Sequence, residues 1–294
     1  MAARVRSAPL AIVRAAAHGI AMAERLAPRL RLPGAAPIAA RELVGGIAGA
    51  WLHKDERDAL GAALYDAGRR RARQRLAEWE RRWFQGALPP APARLLIGGA
   101  GTGREAVALA AAGYRVDALE PAPESAAECR RALGPAASVA EATYEALAAS
   151  VLDDAPSPAA RLASRRYDAV LLGWTSYMHV VAREERARLL LALDRLAPEG
   201  PILVTFRLAS RARPRGASHR VGRALGARLA SRRRPPPAPA GDHERFGVAC
   251  GFLVGLTEAD LVAEARAAGR EVRWDGEVDG TARASLWPPA SRGG

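Results

Sequence analysis

The sequence predicts an α/β fold, in which helices cover both faces of a mostly parallel sheet, together with a helical N-terminal region. Two observations carry this prediction. Between residues 93 and 206, short apolar runs alternate with segments of helical periodicity, which is the pattern of βαβ units. One apolar run leads into a glycine cluster that opens a helix, an arrangement typical of folds that bind ligands at strand ends.

The composition supports a folded core but leaves the partner open. Of the 294 residues, 49% are hydrophobic, and the mean hydropathy of −0.10 argues against global disorder. The net charge of +13 raises nucleic acid, an anionic membrane surface or an acidic substrate as partners. Lys54 is the only lysine among the 44 basic residues, which indicates a coding bias towards arginine. Such a bias explains why arginine replaces lysine, but it does not explain the net positive charge.

Neither a metal site nor a membrane span is expected from the sequence. Cys129 and Cys250 lie far apart and follow no CxxC spacing, so a disulfide scaffold is not expected and a reducing compartment is the default. The five histidines do not cluster in the sequence, so no metal site is indicated. No segment reaches the ~18 apolar residues that a transmembrane helix needs. We therefore expect a cytoplasmic protein with no transmembrane segment and no metal.

The pattern along the chain predicts four parts. They are a helical region at 1–91, a Rossmann-like core at 92–206, an Arg/Pro-rich basic insertion at 207–243 and a C-terminal completion of the sheet at 244–294. In the first part, helical periodicity predicts one long helix from Asp55 to Phe84. We expect Trp79, Trp83 and Phe84 of this helix to pack into the core, and we leave the order of residues 1–50 open.

Within the core, strands and helices alternate. The predicted strands are Arg94–Ile97, Tyr114–Leu119, Ala137–Ala140, Tyr167–Leu172 and Pro201–Phe206. The predicted helices are Arg104–Ala112, Pro123–Leu133, Tyr144–Leu152 and Glu184–Leu196. Because parallel strands need crossover connections, this alternation predicts a parallel sheet.

The C-terminal part continues this pattern with one helix and a hairpin. Thr257 is a plausible N-cap for a helix over Glu258–Ala268. The strands Glu271–Trp274 and Ala282–Trp287 follow, and the pair Asp279-Gly280 between them indicates a hairpin turn. The sheet should therefore end in an antiparallel pair.

The basic insertion holds most of the excess charge. Residues 207–241 carry ten arginines and no acid, which leaves +3 for the rest of the chain. Between Arg207 and Arg234 no aromatic side chain interrupts the arginines, although base stacking on nucleic acid would use one. We interpret this stretch as a solvated loop beside the acceptor side of the sheet, and keep phosphate binding as the alternative.

The glycine cluster lies between a strand and a helix start. Gly99, Gly101 and Gly103 let the backbone adopt positive φ and approach a ligand closely. The helix that begins at Arg104 adds free N–H groups. Glu120 stands seventeen residues after Gly103, at the end of the next strand, where a carboxylate can accept hydrogen bonds from both hydroxyls of a ribose.

The glycine spacing separates the possible cofactors. A dinucleotide fingerprint needs a glycine where Arg104 stands, and a P-loop needs a following GK[ST] that does not occur. The spacing GxGxG resembles motif I of the class I S-adenosylmethionine-dependent methyltransferases. The resemblance spans residues 93–206 and resumes at 247–287, and the order of strands, helices and final hairpin matches the family.

This resemblance implies a Rossmann-like, seven-stranded α/β sheet with helices on both faces, an antiparallel last strand and an N-terminal helical cap. It implies S-adenosyl-L-methionine as cofactor and methyl transfer (EC 2.1.1.-) to an acceptor at the carboxyl edge of the sheet. The cofactor-binding residues that it implies are Gly99, Ala100, Gly101, Gly103, Glu105, Glu120, Pro121, Glu141, Gly173 and Tyr65.

Several of these residues take individual roles from the resemblance. Glu120 matches the acid that binds the ribose, Glu141 the acid near the adenine amino group, and Tyr65 a tyrosine that covers the cofactor. His179 and Tyr177 follow the fourth strand, near the acceptor, and are the candidate catalytic residues. The imidazole of His179 could act as general base because it titrates near neutral pH.

The sequence also departs from the family. Ile97 stands where an acid usually organises the amino-acid end of the cofactor, and Glu105 is a candidate substitute. No [DN]PP[FY] follows the fourth strand, which counts against methylation of an adenine or glutamine amino group. A small-molecule acceptor is the first expectation. The alternatives are a nucleic-acid-binding or RNA-modifying protein that uses residues 207–234, and a non-catalytic cofactor-binding protein; the oligomeric state stays open.

Overall fold

The computed structural model describes residues 7–26, 35–68, 75–209, 216–238 and 244–289. Within these ranges it contains eleven α-helices and nine strands. The helices are α1 (Ala8–Leu26), α2 (Ala35–Trp51), α3 (Lys54–Gly68), α4 (Glu78–Ala87), α5 (Arg104–Ala111), α6 (Pro123–Leu133), α7 (Tyr144–Leu152), α8 (Ala160–Ala163), α9 (Arg183–Leu196), α10 (Ala217–Ala230) and α11 (Glu258–Ala267). The strands are β1 (Arg94–Gly98), β2 (Arg115–Leu119), β3 (Val139–Ala140), β4 (Ala169–Leu172), β5 (Ile202–Arg207), β6 (Glu244–Gly247), β7 (Gly251–Val254), β8 (Glu271–Val278) and β9 (Thr281–Trp287).

The chain divides into two compact units. The helical unit comprises residues 1–70 and 212–254, and contains α1–α3, α10 and the antiparallel pair β6–β7. The sheet unit comprises residues 71–211 and 255–294 and contains all other elements. These bounds place α4 in the sheet unit and the pair β6–β7 in the helical unit. The division predicted from the sequence instead placed α4 with the N-terminal helices, in 1–91, and β6–β7 with the C-terminal strands, in 244–294.

The sheet unit is built on one seven-stranded sheet of order β3-β2-β1-β4-β5-β9-β8. Strands β1 to β5 run parallel, and β9 runs antiparallel to both β5 and β8. The predicted seven-stranded α/β sheet with an antiparallel last strand is therefore confirmed. The strand order reverses between β1 and β4, and open sheets of this kind bind ligands beyond the carboxyl ends of the strands at such a switch point.

The core beneath this switch point is apolar on both faces of β1. Leu95, Leu96 and Ile97 are 1% exposed or less, as expected for the centre of a parallel sheet covered on both sides. On one face, Trp83 and Phe84 of α4 belong to the same buried cluster as Ile97, and Trp79 packs against it while partly buried. The prediction that these aromatic residues form core is thus confirmed.

Three predictions about individual elements are wrong. The single helix expected from Asp55 to Phe84 is two helices, because the carboxylate of Glu80 accepts the N–H of Ala77 at 2.6 Å and so starts α4 anew. The second-last strand continues beyond Trp274 to Val278 through a β-bulge. The stretch expected as a solvated loop contains the helix α10.

Helix α10 forms because its small residues allow close packing against α2. Gly222, Gly226 and Ala230 are buried along one face of α10. A Cβ built on Gly226 would lie 2.6 Å from the carbonyl oxygen of Ile47, so the two backbones approach too closely for a side chain. Local composition did not reveal this helix, since its stability comes from contact with a segment about 180 residues earlier.

Across the described ranges, no helix is both long enough and apolar enough to cross a bilayer. The expectation of a cytoplasmic location stays a prediction.

Candidate functional site

The loop after β1 adopts the conformation for which its glycines were singled out. The φ angles of Gly99, Gly101 and Gly103 are +61°, +56° and +97°. These values lie in the left-handed region, which residues with a side chain rarely enter. Gly103 is also the residue before α5, and its N–H donates to the carbonyl of Ala100 at 2.9 Å. The loop therefore turns tightly at the switch point and leads directly into a helix N-terminus.

Glu120 joins this loop to the end of β2. Its side chain is buried, with 4% exposure. One carboxylate oxygen accepts the N–H of Gly101 at 2.8 Å, and the other accepts the N–H of Ala122 at 2.9 Å. The carboxylate thus bridges the glycine loop after β1 and the backbone that follows β2. Pro121, the next residue, is exposed at the same edge.

Two other predicted site residues form the backbone framework of the loop. The N–H of Gly173, just after β4, donates to the carbonyl of Gly98 at 2.8 Å. A Cβ on Gly173 would lie 2.7 Å from the carbonyl oxygen of Gly99, so this glycine is required by the meeting of two backbones. Ala100 is 2% exposed and its N–H donates to Leu119. Their predicted contacts with a cofactor stay predictions.

A tyrosine and a serine that the sequence did not single out fill the space beside the loop. The hydroxyls of Tyr144 and Ser176 are hydrogen-bonded at 2.7 Å in the protein interior. A Cβ on Gly98 would lie 2.6 Å from the ring of Tyr144. Burial raises the pKa of Tyr144 well above its usual range, so this phenol stays neutral. In the sequence, the one sign of this close packing is the glycine at position 98, directly before the GxGxG motif.

Arg104 and two carboxylates form a buried network at the start of α5. Arg104 donates two hydrogen bonds to Glu80, at 2.8 and 2.7 Å, and one to Glu105 at 2.5 Å. Glu80 and Glu105 are only 2% and 5% exposed. Burial lowers the pKa of Arg104, but the two carboxylates outweigh burial and raise it. One guanidinium therefore bridges two buried carboxylates.

Glu105 and Glu120 lie close enough to affect the same groups. Burial raises the pKa of Cys129 to about 12, and the negative charges of Glu120 and Glu105 both contribute to this rise. A Cβ on Gly103 would lie 3.2 Å from the Cys129 sulfur, which places this thiol directly behind the loop. The carboxylates of Glu105 and Glu120 thus both affect a thiol that lies against the glycine loop.

Ile97 occupies the position at which the family resemblance expects an acid. Its side chain has no exposed surface and packs in the core cluster with Leu171 and Leu203. An acid could not replace it there without being buried among apolar side chains. Glu105, at the start of α5, is a buried carboxylate close to this segment, and its Oε1 also accepts the N–H of Trp174 at 3.4 Å.

The segment after β4 contains a strained residue. Thr175 has φ +52°, which is unusual for a β-branched residue, and its N–H donates to the hydroxyl of Thr205 at 2.8 Å. Backbone strain of this kind clusters at functional sites. Trp174, just before it, is 38% exposed at the carboxyl edge of the sheet. The hydrogen bond to Thr205 helps to hold Thr175 in this conformation.

The two candidate catalytic residues differ in position. Tyr177 has no exposed surface, and its hydroxyl donates to Glu264 at 2.7 Å. Glu264 is also paired with Arg186, at 2.7 Å. Burial raises the pKa of Tyr177 well above its usual value. The geometry therefore counts against Tyr177 as a group that contacts the acceptor, whereas His179, at the end of the short 3-10 helix Ser176–His179, is exposed.

The remaining predicted residues are Glu141 and Tyr65. Glu141 is exposed, directly after β3. Tyr65 lies on α3 of the helical unit, and its predicted contact with a cofactor stays a prediction. Among the residues that the structure describes, no group of three or more His, Cys, Asp or Glu side chains could hold a metal ion.

The chain has the fold of the class I S-adenosylmethionine-dependent methyltransferases. One solved structure with this fold is a SAM-dependent methyltransferase from Bacteroides fragilis in complex with S-adenosyl-L-homocysteine. It superposes with a TM-score of 0.52 at 16% identity, over 80% of this chain and 96% of that one. Another is the CcbJ methyltransferase from Streptomyces caelestis, with a TM-score of 0.51 at 16% identity, over 78% and 96% of the two chains.

No protein-family model matches the sequence, and no curated protein matches it either. At 16% identity, the structural likeness establishes the fold and leaves the activity to the residues of the site.

Proposed function

We propose that the protein is an S-adenosylmethionine-dependent methyltransferase that acts on a small-molecule acceptor. One observation carries this proposal. The buried carboxylate of Glu120 is bonded to the backbone of a positive-φ glycine loop at the switch point of a methyltransferase-type sheet. A ribose placed there would find a fixed acceptor for its hydroxyls, and the three glycines let the loop backbone approach the ligand closely.

The residues present fit this cofactor at both of its ends. Glu120 stands at the end of β2, where a carboxylate can accept hydrogen bonds from ribose hydroxyls, and the exposed Glu141 after β3 can accept from an adenine amino group. The carboxylate of Glu105, at the start of α5, suits the ammonium group of the zwitterionic amino-acid end. It would thereby perform the task of the acid that Ile97 replaces.

When bound, the cofactor supplies a methyl group on a sulfonium, which is already activated for displacement. The protein therefore needs mainly to hold the acceptor in line and to exclude water. The acceptor would lie at the carboxyl edge beside Trp174, where the strained turn at Thr175 fixes the backbone. His179 would take the proton if the acceptor is a hydroxyl or a protonated amine.

Charge supports a small molecule over a nucleic acid as acceptor. By sequence, the sheet unit has 24 basic and 23 acidic residues, so it is nearly neutral. A nucleic-acid substrate usually requires a strongly basic surface around the catalytic edge. The excess of basic over acidic residues lies in the helical unit.

The test is transfer of an isotopically labelled methyl group from S-adenosylmethionine to fractionated cell extract. We expect label in the fraction of small metabolites, and loss of that label with the Glu120→Ala variant. Label found only in RNA would overturn the proposed acceptor class. Cofactor binding without transfer to any fraction would instead favour the non-catalytic alternative, which the apolar Ile97 suggests.

A further inference from the structure

The excess positive charge of the chain belongs almost entirely to the helical unit. By sequence, residues 1–70 and 212–254 contain twenty basic and eight acidic residues, a net charge of +12. The sheet unit, although larger, has a net charge of only +1. A coding bias towards arginine would act on both units alike. The separation therefore calls for an explanation specific to the helical unit.

The orientation of the basic helix α10 is fixed by its packing. Gly222 and Gly226 lie on its inner face, and a Cβ on either would collide with the backbone of α2. A Cβ on Gly226 would also lie 2.9 Å from the Cβ of Ala50. Rotation of α10 about its axis would bring larger side chains into this contact. The opposite face of the helix must therefore point away from α2.

That opposite face combines cations with aliphatic side chains. We call it the α10 outer face, and it consists of Arg220, Val221, Ala224, Leu225 and Arg228, all of them exposed. Val221 and Leu225 are 54% and 47% exposed, one helical turn apart. The sequence from 207 to 241 contains no acidic residue that could neutralise the arginines locally.

Exposed aliphatic side chains are concentrated in the same unit. Ten large hydrophobic residues of the described ranges are exposed, and six of them lie in the helical unit although it is the smaller one. These six are Ile12, Met22, Leu26, Ile38, Val221 and Leu225. A surface that is both cationic and aliphatic matches the interface of an anionic bilayer, which offers phosphates and acyl chains together.

We propose that the helical unit binds an anionic lipid surface through the α10 outer face. Arg220 and Arg228 would contact lipid phosphates, while Val221 and Leu225 would enter the boundary between headgroups and acyl chains. This proposal goes beyond the proposed methyl transfer and does not depend on it. Nucleic acid would satisfy the arginines but would leave the aliphatic side chains in water, and the outer face has no aromatic side chain for base stacking.

The experiment is co-sedimentation of the full chain with vesicles. One set contains phosphatidylcholine alone, and the other contains phosphatidylcholine with about one third phosphatidylglycerol. We expect binding to the second set only, weakening with salt because screening shortens the reach of the charges. The double variant Arg220→Gln/Arg228→Gln should bind roughly 30-fold more weakly, since each arginine near such a surface contributes about fivefold. Val221→Ser/Leu225→Ser should lose on the order of tenfold with the charge unchanged.

The matched control is Arg131→Gln/Arg266→Gln, which removes two exposed arginines from the sheet unit. It should bind vesicles like the unaltered protein, and the melting temperatures of all variants should agree. Equal loss with this control would overturn the proposal, because net charge alone would then explain binding. Absence of binding to the anionic vesicles would also overturn it. The proposal would also be overturned if the protein bound a duplex of 20 base pairs more tightly than the anionic vesicles, and if Val221→Ser/Leu225→Ser left that duplex binding unchanged.

Discussion

The carboxylate of Glu120 accepts the backbone N–H of Gly101, with 2.8 Å between Oε2 and the nitrogen. This bond joins the end of β2 to the glycine loop after β1, which are separated by a whole helix in the sequence. The same carboxylate was expected to bind a ribose. It fixes the shape of the loop, and in the proposed function it also binds the ribose.

Glu120→Gln should weaken cofactor binding and destabilise the loop. The amide nitrogen of glutamine is a donor and would face the N–H of either Gly101 or Ala122, so one hydrogen bond is lost. We expect about 10- to 100-fold weaker binding of S-adenosylmethionine, on the scale of about 1.5–3 kcal/mol for a hydrogen bond to a charged group. Calorimetric titration measures this change. The control is Glu271→Gln at the exposed start of β8, and an equal effect in both variants would contradict the assignment.

Arg104→Gln should destabilise the protein strongly. It would leave Glu80 and Glu105 buried without their shared guanidinium, and removal of one partner from a buried ion pair costs about 3–5 kcal/mol. Urea unfolding at pH 7 measures the loss. The double variant Arg104→Gln/Glu105→Gln should recover part of this stability because it removes one of the two stranded charges. Strictly additive losses would show that the three side chains do not form one network.

Tyr177→Phe separates a structural from a catalytic role. The variant would remove the hydrogen bond to Glu264, whose carboxylate stays paired with Arg186, so we expect a loss of about 1–2 kcal/mol in the free energy of unfolding. The kcat for methyl transfer should be unchanged at a temperature where the variant is folded. A large fall in kcat with unchanged stability would indicate that Tyr177 is a catalytic residue. It would contradict the structural role that its burial and its bond to Glu264 suggest.

The pair of Glu56 and Arg233 should make the helical unit sensitive to acid. Burial raises the pKa of Glu56, but its hydrogen bonds from Arg233, Ser7 and the N–H of His53 outweigh burial, and lower the pKa from 4.5 to about 2. A lowered pKa in the folded state stabilises the fold above pH 4.5, and this contribution is lost as the pH falls towards about 2.

Arg233→Gln tests that pH dependence. The variant should lower the free energy of unfolding at pH 7 by about 2 kcal/mol, and its stability should decline less between pH 4.5 and 2 than that of the unaltered protein. Denaturant unfolding over this range provides both values. Parallel pH profiles for the two proteins would mean that Glu56 titrates normally. Arg131→Gln, on the exposed surface of α6, serves as the control for loss of one positive charge.

Elements with strong local signals could be predicted from the sequence. Helices α6 and α7 have the predicted bounds Pro123–Leu133 and Tyr144–Leu152, since proline opens the first and Thr143 caps the second. Helix α10 could not be predicted as a helix, because its arginines and glycines look unfavourable until Gly222 and Gly226 meet α2. Its stability depends on a contact between distant segments, which local composition does not encode.

The same distinction applies to the site. The glycine loop and Glu120 were predictable because they lie in one short strand, loop and helix unit and the strand that follows it. The pairing of Arg104 with Glu80, or of Tyr144 with Ser176, was not, since each joins separate elements 24 or 32 residues apart. The burial of Tyr177 likewise depends on Glu264, 87 residues later. No sequence pattern marks these pairs.

Direct calorimetric titration of the full chain with S-adenosylmethionine tests the central claim, that the glycine loop and Glu120 form a cofactor site. The account predicts saturable binding of one cofactor per chain, with markedly weaker binding by Glu120→Ala. Absence of binding at millimolar cofactor by a folded protein would contradict it, and so would binding that Glu120→Ala leaves unchanged.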